Sequence, residues 1–467
     1  MNPKVVTACL TVSLVLGCAT VQQPLAPADI AAIPEAFTLY PAGETAGRLA
    51  WNAFGNPELD ALIAEALTNG LTVADAQTRL DAAMLRVKQA GAALYPAVEL
   101  QAGAGVTRAK PDTGVNAGRT VDTENYSLGL AAGFELDLWG RIRAERRAIL
   151  RDADASREEL AAARITVVAN VAQTWIDLVA ARMTHALLLR QLDTNRRILS
   201  LVEMRQRRGL VTAVAVYRQR QAVAGLEALV PQQKAGIAAL GHALSILVGR
   251  VPGGVSPAAA VILPSLPAAL PEVGLPADVL ARRPDVRAVG ARLTAAAERV
   301  EAARGARLPA LRLSASAGFA AGTADVLFDH WLSNLAANLA GPIFDAGLRK
   351  AEVERIDALR RQQFVAYKRV VLTAIGEVET ALAREAYQRE QLAALDRQLD
   401  AARTALREQE ARYSRGQDSY LLVLDQQVAV DQLERGLIAA QTDLLRYRIA
   451  LYRAIAGDVE RPKPTDG

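Results

Sequence analysis

The feature that most restricts how this 467-residue chain can fold is an internal repeat. The stretch ALYPAVELQAGAG at 93–105 matches RLPALRLSASAG at 307–318 with an offset of 213 residues. Further along, the offset falls to 207, as between Gly140 and Gly347, and then stays constant. Such a single drop indicates a longer loop in the first copy, which we place at 107–124. The chain is therefore predicted to contain two copies of one structural unit.

Each copy begins with a helical pattern and continues with two strand patterns. The helical patterns, at about 71–94 and 285–308, end close to a proline, whose ring removes a backbone N–H and favours extended conformations in the preceding residue. Apolar residues then alternate with polar or small ones, which predicts strands. The predicted strands are at about 98–107, 125–137, 311–320 and 331–341.

Two kinds of sheet account for this alternation. A half-buried sheet in a soluble domain produces it, and so do membrane strands of about 9–11 residues that are joined by polar, turn-rich loops. The four strands of one chain are too few for a membrane barrel, which needs about eight, but three copies would supply twelve. Beyond the N-terminal segment 1–17, which is discussed below, no stretch of the sequence reaches about 18 uninterrupted apolar residues. No membrane-spanning helix is therefore predicted.

A very long helical pattern follows each pair of strands. It runs from 141 to 207 and again from 348 to 413, which corresponds to roughly 100 Å for each helix. In the first pattern, apolar residues spaced alternately by three and four form a coiled-coil seam: Ile165, Val168, Ala172, Trp175 and Val179. Each long helix is predicted to turn at a glycine, Gly209 or Gly416, and to return as a second helix.

These patterns divide the mature chain into two repeats, a crossing segment rich in proline and glycine, and a tail. The predicted boundaries are 58–247 for the first repeat, with its long hairpin at 141–247; 248–284 for the crossing segment; 285–456 for the second repeat, with its hairpin at 347–456; and 457–467 for the C-terminal tail.

The N-terminus has the features of an export signal. Residues 1–17 hold a basic residue, a short apolar run and a final glycine, and they are too short to span a bilayer. Cys9 lies within this signal, so the mature chain retains only Cys18, which has no partner for an internal disulfide. The sequence VLGC that ends at Cys18 resembles a bacterial lipobox, which implies an acylated cysteine and a lipid-anchored segment at 18–57. An ordinary signal peptide is the alternative.

Charge and motif content exclude several classes of function. The net charge is +4, and the arginines are interleaved with acidic residues, so nucleic acid is not an expected partner. The three histidines are scattered, and no carboxylate or cysteine accompanies them at ligand spacing, so no metal site is predicted. No phosphate-binding loop, dinucleotide fingerprint or nucleophile motif stands in a suitable context. We therefore predict no catalytic residues, no cofactor and no enzymatic activity.

Several longer stretches resemble the TolC-like outer-membrane efflux factor family and its lipid-anchored, OprM-like branch. The resemblance covers residues 18 to about 457. The stretches that carry it are WNAFGNPELDALI (51–63), FELDLWGRIRA (134–144), LPADVLARRPDVRAVGARL (275–293), GPIFDAGLRKAE (341–352) and RYSRGQDSYLLVLDQQ (412–427).

The resemblance implies a mostly α fold with a small membrane β-barrel contribution, built from a duplicated helix-strand-strand-long-helix-helix unit. Three chains would form a twelve-stranded β-barrel in the outer membrane, continuous with an α-helical barrel in the periplasm. The segment 248–284 and both termini would girdle this tunnel. The protein would be the passive exit duct of a tripartite efflux pump, working with a periplasmic adaptor and an inner-membrane transporter of the proton-driven drug efflux type.

The resemblance also implies a gate and a docking region at the far tip. The gate maps onto Leu421, as an apolar constriction, and Asp425, as a ring of carboxylates. Arg218 falls on Asp425 by the 207 offset, so we expect the two side chains to pair; two ordinary solvated charges are the alternative. The adaptor would dock at the turn glycines Gly209 and Gly416. The turns are flanked by arginines that either bind the adaptor or complement the helix dipole: Arg205, Arg208, Arg412 and Arg415.

Two other interpretations remain at this stage. In the first, the protein is an outer-membrane channel whose cargo is a polypeptide of a type I secretion system or a metal ion. In a different class, the paired hairpins belong to a soluble periplasmic coiled-coil adaptor.

Overall fold

The two repeats have the same order of elements. This computed structural model describes residues 33–39, 54–115, 118–254, 262–266, 270–271 and 273–456. The first repeat, preceded by α1 (Pro57–Asn69), consists of α2 (Leu71–Ala92), β1 (Ala97–Ala109), β2 (Val121–Leu136), α3 (Arg141–Arg207) and α4 (Ala213–Leu247). The second, preceded by α5 (Pro276–Arg282), consists of α6 (Pro284–Gly305), β3 (Ala310–Ala321), a 3-10 turn (Ala324–Asp329), β4 (Trp331–Ala340), α7 (Leu348–Ser414) and α8 (Tyr420–Ala454).

The four strands form one antiparallel sheet in the order β1-β2-β3-β4. Strand β2 begins at Val121, earlier than the predicted 125, because its first residues pair with the end of β1. An ion pair reinforces this extension, since Arg108 Nε lies 2.7 Å from Asp122 Oδ1. One face of the sheet carries apolar side chains that are each more than half exposed: Val98, Leu100, Val106, Leu130, Trp331, Leu335 and Leu339.

Each long helix begins at a glycine with a left-handed backbone. Gly140 has φ 72° before α3, and Gly347 has φ 87° before α7. An aspartate upstream then accepts backbone N–H groups of the first turn: Asp137 bonds those of Ile142 and Arg143 at 3.1 and 3.0 Å. A carboxylate at a helix N-terminus satisfies unpaired donors and complements the helix dipole. At α7, Asp345 accepts the N–H groups of Gly347 and Arg349 at 3.0 and 3.3 Å, so an aspartate and a left-handed glycine mark the start of both long helices.

The main core lies about midway along the long helices. The predicted coiled-coil seam of α3 is confirmed, because its five residues are all at most 8% exposed and Trp175 is fully buried. Around Trp175 pack α1, the end of α4 and the end of α8, where the rings of Phe54 and Tyr452 meet edge to face at 5.9 Å. Among the described residues, no helix is both long and apolar enough to cross a membrane.

The short N-terminal stretch at 33–39 fastens to the second repeat at this level. Phe37 is buried among residues of α5, α7 and α8. The backbone N–H and the hydroxyl of Thr38 both donate to Glu379 Oε1, at 2.9 and 3.1 Å. The stretch at 33–39 is therefore fastened to the middle of α7.

Within one chain, the two long helices are covered very unequally. Helices α3 and α7 both have 67 residues, but α3 buries 24 of them and α7 only eight. The difference arises because α3 packs against α2, α4, α6 and α8, whereas α7 packs mainly against α6 and α8. One side of α7 is left uncovered along most of its length.

Candidate gate at the hairpin tip

The two hairpins end in turns of the same geometry. Gly209 and Gly416 have φ 70° and 73°, values that favour glycine. The N–H of the residue after each glycine donates to a carbonyl five residues upstream: Leu210 to Arg205 at 2.9 Å, and Gln417 to Arg412 at 3.0 Å. These bonds close the helix ends as a Schellman motif does. We refer to residues 191–227 and 402–435 as the hairpin tip.

A small apolar cluster joins the two hairpins at the tip. It contains Val202 of α3, Ala215 and Val216 of α4, and Tyr420, Val423 and Leu424 of α8. Each of these side chains is at most 8% exposed. The close packing holds α8 of the second repeat against both helices of the first.

Three of the four arginines beside the turns contact other residues of the hairpin tip, either within one hairpin or across to the other. Arg205 places its guanidinium carbon 5.0 Å from the ring centre of Tyr413, and Arg415 Nε donates to the Ala411 carbonyl at 3.2 Å. Arg412 Nε lies 2.5 Å from Asp418 Oδ2. This bond raises the pKa of Arg412 and lowers that of Asp418. Arg208 is exposed at the end of α3.

Arg218 and Asp425, predicted to pair, are brought together. Arg218 Nη2 lies 2.8 Å from Asp425 Oδ1, which connects α4 to α8. The two side chains are 51% and 60% exposed, so the pair lies at the surface of the single chain and is worth at most about 1 kcal/mol there.

The predicted constriction residue, Leu421, is only partly exposed and packs against the apolar cluster of its own tip. Its neighbour Leu422 is 50% exposed. Leu422 lies three residues before Asp425, so both are on one face of α8. The exposed face of the tip therefore presents Leu422 and Asp425, with Leu421 beside them.

A chain of buried polar side chains lies beneath this surface, and the sequence interpretation missed it. Gln219 of α4 is fully buried. Its Oε1 accepts a hydrogen bond from the Tyr420 hydroxyl at 2.7 Å, and its Nε2 donates to the Asn195 carbonyl at 3.0 Å. Three helices, α3, α4 and α8, thus meet through one side chain whose polar atoms all have partners.

The chain of bonds continues to a buried carboxylate. Asn195 Nδ2 donates to Asp431 Oδ2 at 3.2 Å, and Gln427 Nε2 donates to Asp431 Oδ1 at 2.8 Å. Burial raises the pKa of Asp431, against the effect of these two bonds. The sequence did contain one signal of this network, because Gln219 and Gln426 are equivalent by the 207 offset. Gln426 makes the corresponding bond in the second repeat: its Nε2 donates to the Ala402 carbonyl at 3.1 Å. Ala402 is the equivalent of Asn195 by the same offset.

Cys18 and the predicted export signal at 1–17 lie outside the described residues. Within the described part of the chain, no group of three or more His, Cys, Asp or Glu side chains is placed to hold a metal ion.

Comparison with known proteins gives a consistent result. The family model for outer membrane efflux proteins matches residues 62–249 and 275–457. The pyoverdine export outer membrane protein OpmQ of Pseudomonas putida is 31% identical over 423 residues, which is 89% of each chain. The solved outer-membrane channel OprN superposes with a TM-score of 0.84 at 26% identity, covering 91% of this chain and 97% of that one. The open state of the MtrE outer membrane channel of Neisseria gonorrhoeae gives a TM-score of 0.78 at 25% identity, covering 92% and 96%.

Proposed function

Because this chain belongs to the outer membrane efflux protein family, we propose that three copies form a closed exit duct whose periplasmic tip is shut at rest. The family consists of outer-membrane transport proteins, and this chain has their fold and their role as the outer-membrane component of an efflux pump. The family assignment sets aside the soluble adaptor. The absence of enzymatic activity, like the trimer and the gate, is part of the proposal.

The exposed four-stranded sheet is the main observation that supports a trimer. Its apolar face is exposed, and its order leaves β1 and β4 as edge strands in the described chain. Unpaired edges are costly in a bilayer, where no water can satisfy their backbone groups. Three sheets joined edge to edge supply twelve strands, a number that can close a barrel.

The tip supports the gate. We assign closure to Leu421 and Asp425 together with Arg218, because the ion pair and the apolar cluster hold α8 against the first hairpin. Opening then requires the α7–α8 hairpin to swing away from α3 and α4, which separates Arg218 from Asp425. A related channel has been solved in an open state.

The proposed partners follow from the same arrangement. A periplasmic adaptor docks at the turns of Gly209 and Gly416, and an inner-membrane transporter, of the proton-driven type, delivers the cargo. Pyoverdine export is named for OpmQ, which favours a small organic cargo over a polypeptide or a metal ion for this chain.

Chain length supports a lipid anchor at Cys18. Residue 33, where the described N-terminal stretch begins, is 15 residues after Cys18, a reach of about 50 Å when extended. Glu379, which holds Thr38, is 31 residues along α7 from Leu348, or about 46 Å. A fully extended segment of this length is therefore long enough for an acyl group on Cys18 to reach the level at which the helices meet the sheet.

The test is membrane fractionation followed by planar-bilayer recording of the detergent-extracted protein. We expect heat-modifiable trimers in the outer-membrane fraction and small, cation-selective conductance steps. A monomer confined to the soluble periplasm, without conductance, would overturn the proposal. Mass spectrometry of the mature N-terminus tests acylation separately, with Cys18→Ser as the control.

A further inference from the structure

A cavity of about 580 Å³ lies where the sheet meets the long helices. It is formed by the ends of β2, β4 and α6 and by the beginnings of β3, α3 and α7. Sites for small molecules typically have volumes of about 300–1,000 Å³. The side chains that line this cavity include three cations, an aromatic ring and an aliphatic group: Arg141, Arg312, Arg349, Trp139 and Leu308. The cavity therefore has the size and the mixed lining of a small-molecule site.

The charged strand residues of this cavity lie on the polar face of the sheet. Glu135 of β2 is the register partner of Arg312 of β3, which in turn pairs with Asn338 of β4. The next residue along β4, Leu339, belongs to the exposed apolar face, and successive side chains of a strand point to opposite faces. In a membrane barrel the apolar face contacts lipid and the polar face lines the lumen. In the proposed duct, these charges would therefore face the lumen.

One carboxylate of the cavity, that of Glu135, is shared by two arginines. Arg141 Nη2 lies 2.7 Å from Glu135 Oε1, and Arg312 Nε lies 3.5 Å from Glu135 Oε2. A second carboxylate, that of Asp137, is already paired with Arg143 at 3.1 Å. Because a single carboxylate cannot neutralise two guanidinium groups, this part of the cavity has an excess of positive charge.

Arg312 is the cation that is most available to a ligand. Its side chain is 73% exposed, against 40% for Arg141 and 44% for Arg349. Its contact with Glu135 is the longer of the two that this carboxylate makes. The planar guanidinium group can donate two parallel N–H bonds to a carboxylate, which makes arginine well suited to bind one.

The tryptophan of the cavity is held in place but stays half exposed. Trp139 Nε1 donates to the Pro309 carbonyl at 2.7 Å, which ties the segment before α3 to the segment before β3. On the other side, Arg349 donates to the Ala306 carbonyl and lies 3.8 Å from Asp345. Since Trp139 remains 51% exposed, its ring can pack against the apolar part of a ligand.

The internal repeat shows that the fold does not require these residues. By the 207 and 213 offsets, the equivalent positions carry different side chains: Pro342 for Glu135, Ala346 for Trp139, Leu348 for Arg141 and Glu99 for Arg312. The second long helix nevertheless begins after a left-handed glycine, as the first does. The change from strand to long helix is thus made without this set of charges and without the ring.

We propose that this cavity binds organic anions in which a carboxylate is attached to an aromatic or other apolar group. The carboxylate pairs with Arg312 and Arg141, and the apolar part packs against Trp139 and Leu308. This inference rests on the proposed duct, and it names a class of cargo that contacts the wall of the duct on its way out.

The test is calorimetric titration of the detergent-extracted, full-length protein with naphthoate near neutral pH. Naphthamide, which has the same ring system without the charge, measures partition into detergent and purely apolar binding. We expect naphthoate to bind at least about tenfold more tightly than naphthamide, because a hydrogen bond to a charged group is stronger than one to a neutral group.

The decisive variants change Arg312. Arg312→Gln should weaken naphthoate binding by about tenfold and leave naphthamide binding unchanged, and Arg312→Glu should abolish naphthoate binding. The matched control is Arg108→Gln, which removes an arginine of the same sheet that is 75% exposed but lies outside the cavity. Heat-modifiable trimers on gels and ion conductance show that each variant is folded.

Two results would overturn the site while leaving the duct intact. One is conducting wild-type protein that binds naphthoate no more tightly than naphthamide. The other is an equal loss of naphthoate binding in folded Arg108→Gln and Arg312→Gln, which would mean that the anion responds to general surface charge. Wild-type protein that neither reaches the outer membrane nor conducts would instead overturn the proposed function, and with it the assignment of the ligand as cargo.

Discussion

Arg218 and Asp425 occupy equivalent positions in the two repeats, 207 residues apart, and their side chains form an ion pair of 2.8 Å. The first repeat of the chain thus places a cation, and the second an anion, at equivalent positions, which determines how the charges are arranged when three chains form a ring. Three copies would alternate the two charges around the tip, so each charge has an opposite neighbour on both sides. Two identical charges at these positions would repel instead.

We predict that Asp425→Ala makes the tip leak. A surface pair of this kind is worth about 0.2–1 kcal/mol, which corresponds to at most about a fivefold change in the closed-to-open ratio for each chain. The effects of three chains multiply when the tip opens as a unit. The measurement is single-channel conductance, with uptake of a large antibiotic by cells as a second readout.

Arg218→Ala removes the same pair from the other side and should leak similarly. The exchange Arg218→Asp with Asp425→Arg should restore most of the closure. If Asp425→Ala conducts and excludes the antibiotic as the wild type does, Asp425 is not part of the gate.

A second prediction concerns the hydroxyl of Tyr420, the donor to the buried Gln219. Tyr420→Phe leaves Gln219 Oε1 buried without its donor, a cost of about 1–3 kcal/mol. We expect a lower thermal midpoint in circular dichroism and a looser tip.

The control for this change is Tyr413→Phe. The two tyrosine rings are neighbours at 5.6 Å, but the buried Tyr413 hydroxyl has no hydrogen-bond partner among the described residues. Removing the Tyr413 hydroxyl should therefore leave the thermal midpoint unchanged. Equal losses in the two variants would mean that ring packing, not the hydrogen bond, stabilises the tip.

A third prediction uses the pKa of Asp431, which burial raises against the bonds from Gln427 and Asn195. Arg435 and Glu434 are the nearby charges, and they act in opposite directions. A carboxyl with a pKa raised by folding stabilises the protein fully below its unfolded pKa, about 3.9. That contribution is lost as the pH rises through the folded pKa.

Asp431→Asn should therefore be compared with wild type from about pH 4 to pH 7. The thermal midpoint of wild type minus that of the variant should fall as the pH rises. Asp443→Asn, at a more exposed carboxylate on the same helix, serves as the control. A difference that stays constant or grows with pH would contradict the prediction.

The sequence predicts much of this fold because the repeat and the helix signals are local. The first long helix was predicted at 141–207 and is observed at Arg141–Arg207, since the glycines before and after it set its ends. The family and the exit-duct function were also correct, and they came from longer stretches of resemblance. The acylation of Cys18 and the closure of the tip by the gate residues are proposals.

The buried network was missed for a physical reason. Asn195, Gln219 and Asp431 are polar residues on helices, where most polar residues face water. Their burial depends on which face of α3 meets α4 and α8, a relation between helices that no single helix pattern contains. Only the equivalence of Gln219 and Gln426 pointed to it, and recognising its meaning required the hydrogen bonds.

The last prediction concerns the most deeply buried ion pair, between Glu385 of α7 and Arg448 of α8. The two residues are 1% and 0% exposed, with contacts of 2.8 Å from Arg448 Nε to Glu385 Oε2 and 2.5 Å from Nη2 to Oε1. Glu385→Ala leaves a guanidinium buried without its counterion, which costs about 3–5 kcal/mol. Arg448→Met should cost less, because Arg389 still donates to Glu385 at 2.9 Å.

Replacing both residues, with Glu385→Leu and Arg448→Met, should recover most of the loss, because an apolar pair of similar volume avoids the desolvation of two charges. The measurement is the temperature at which trimers dissociate on gels. Asp177→Ala is the control, since it removes one of two acidic partners of the more exposed Arg446 and should cost below about 1 kcal/mol. If Glu385→Ala is as mild as this control, the buried pair does not hold α7 to α8.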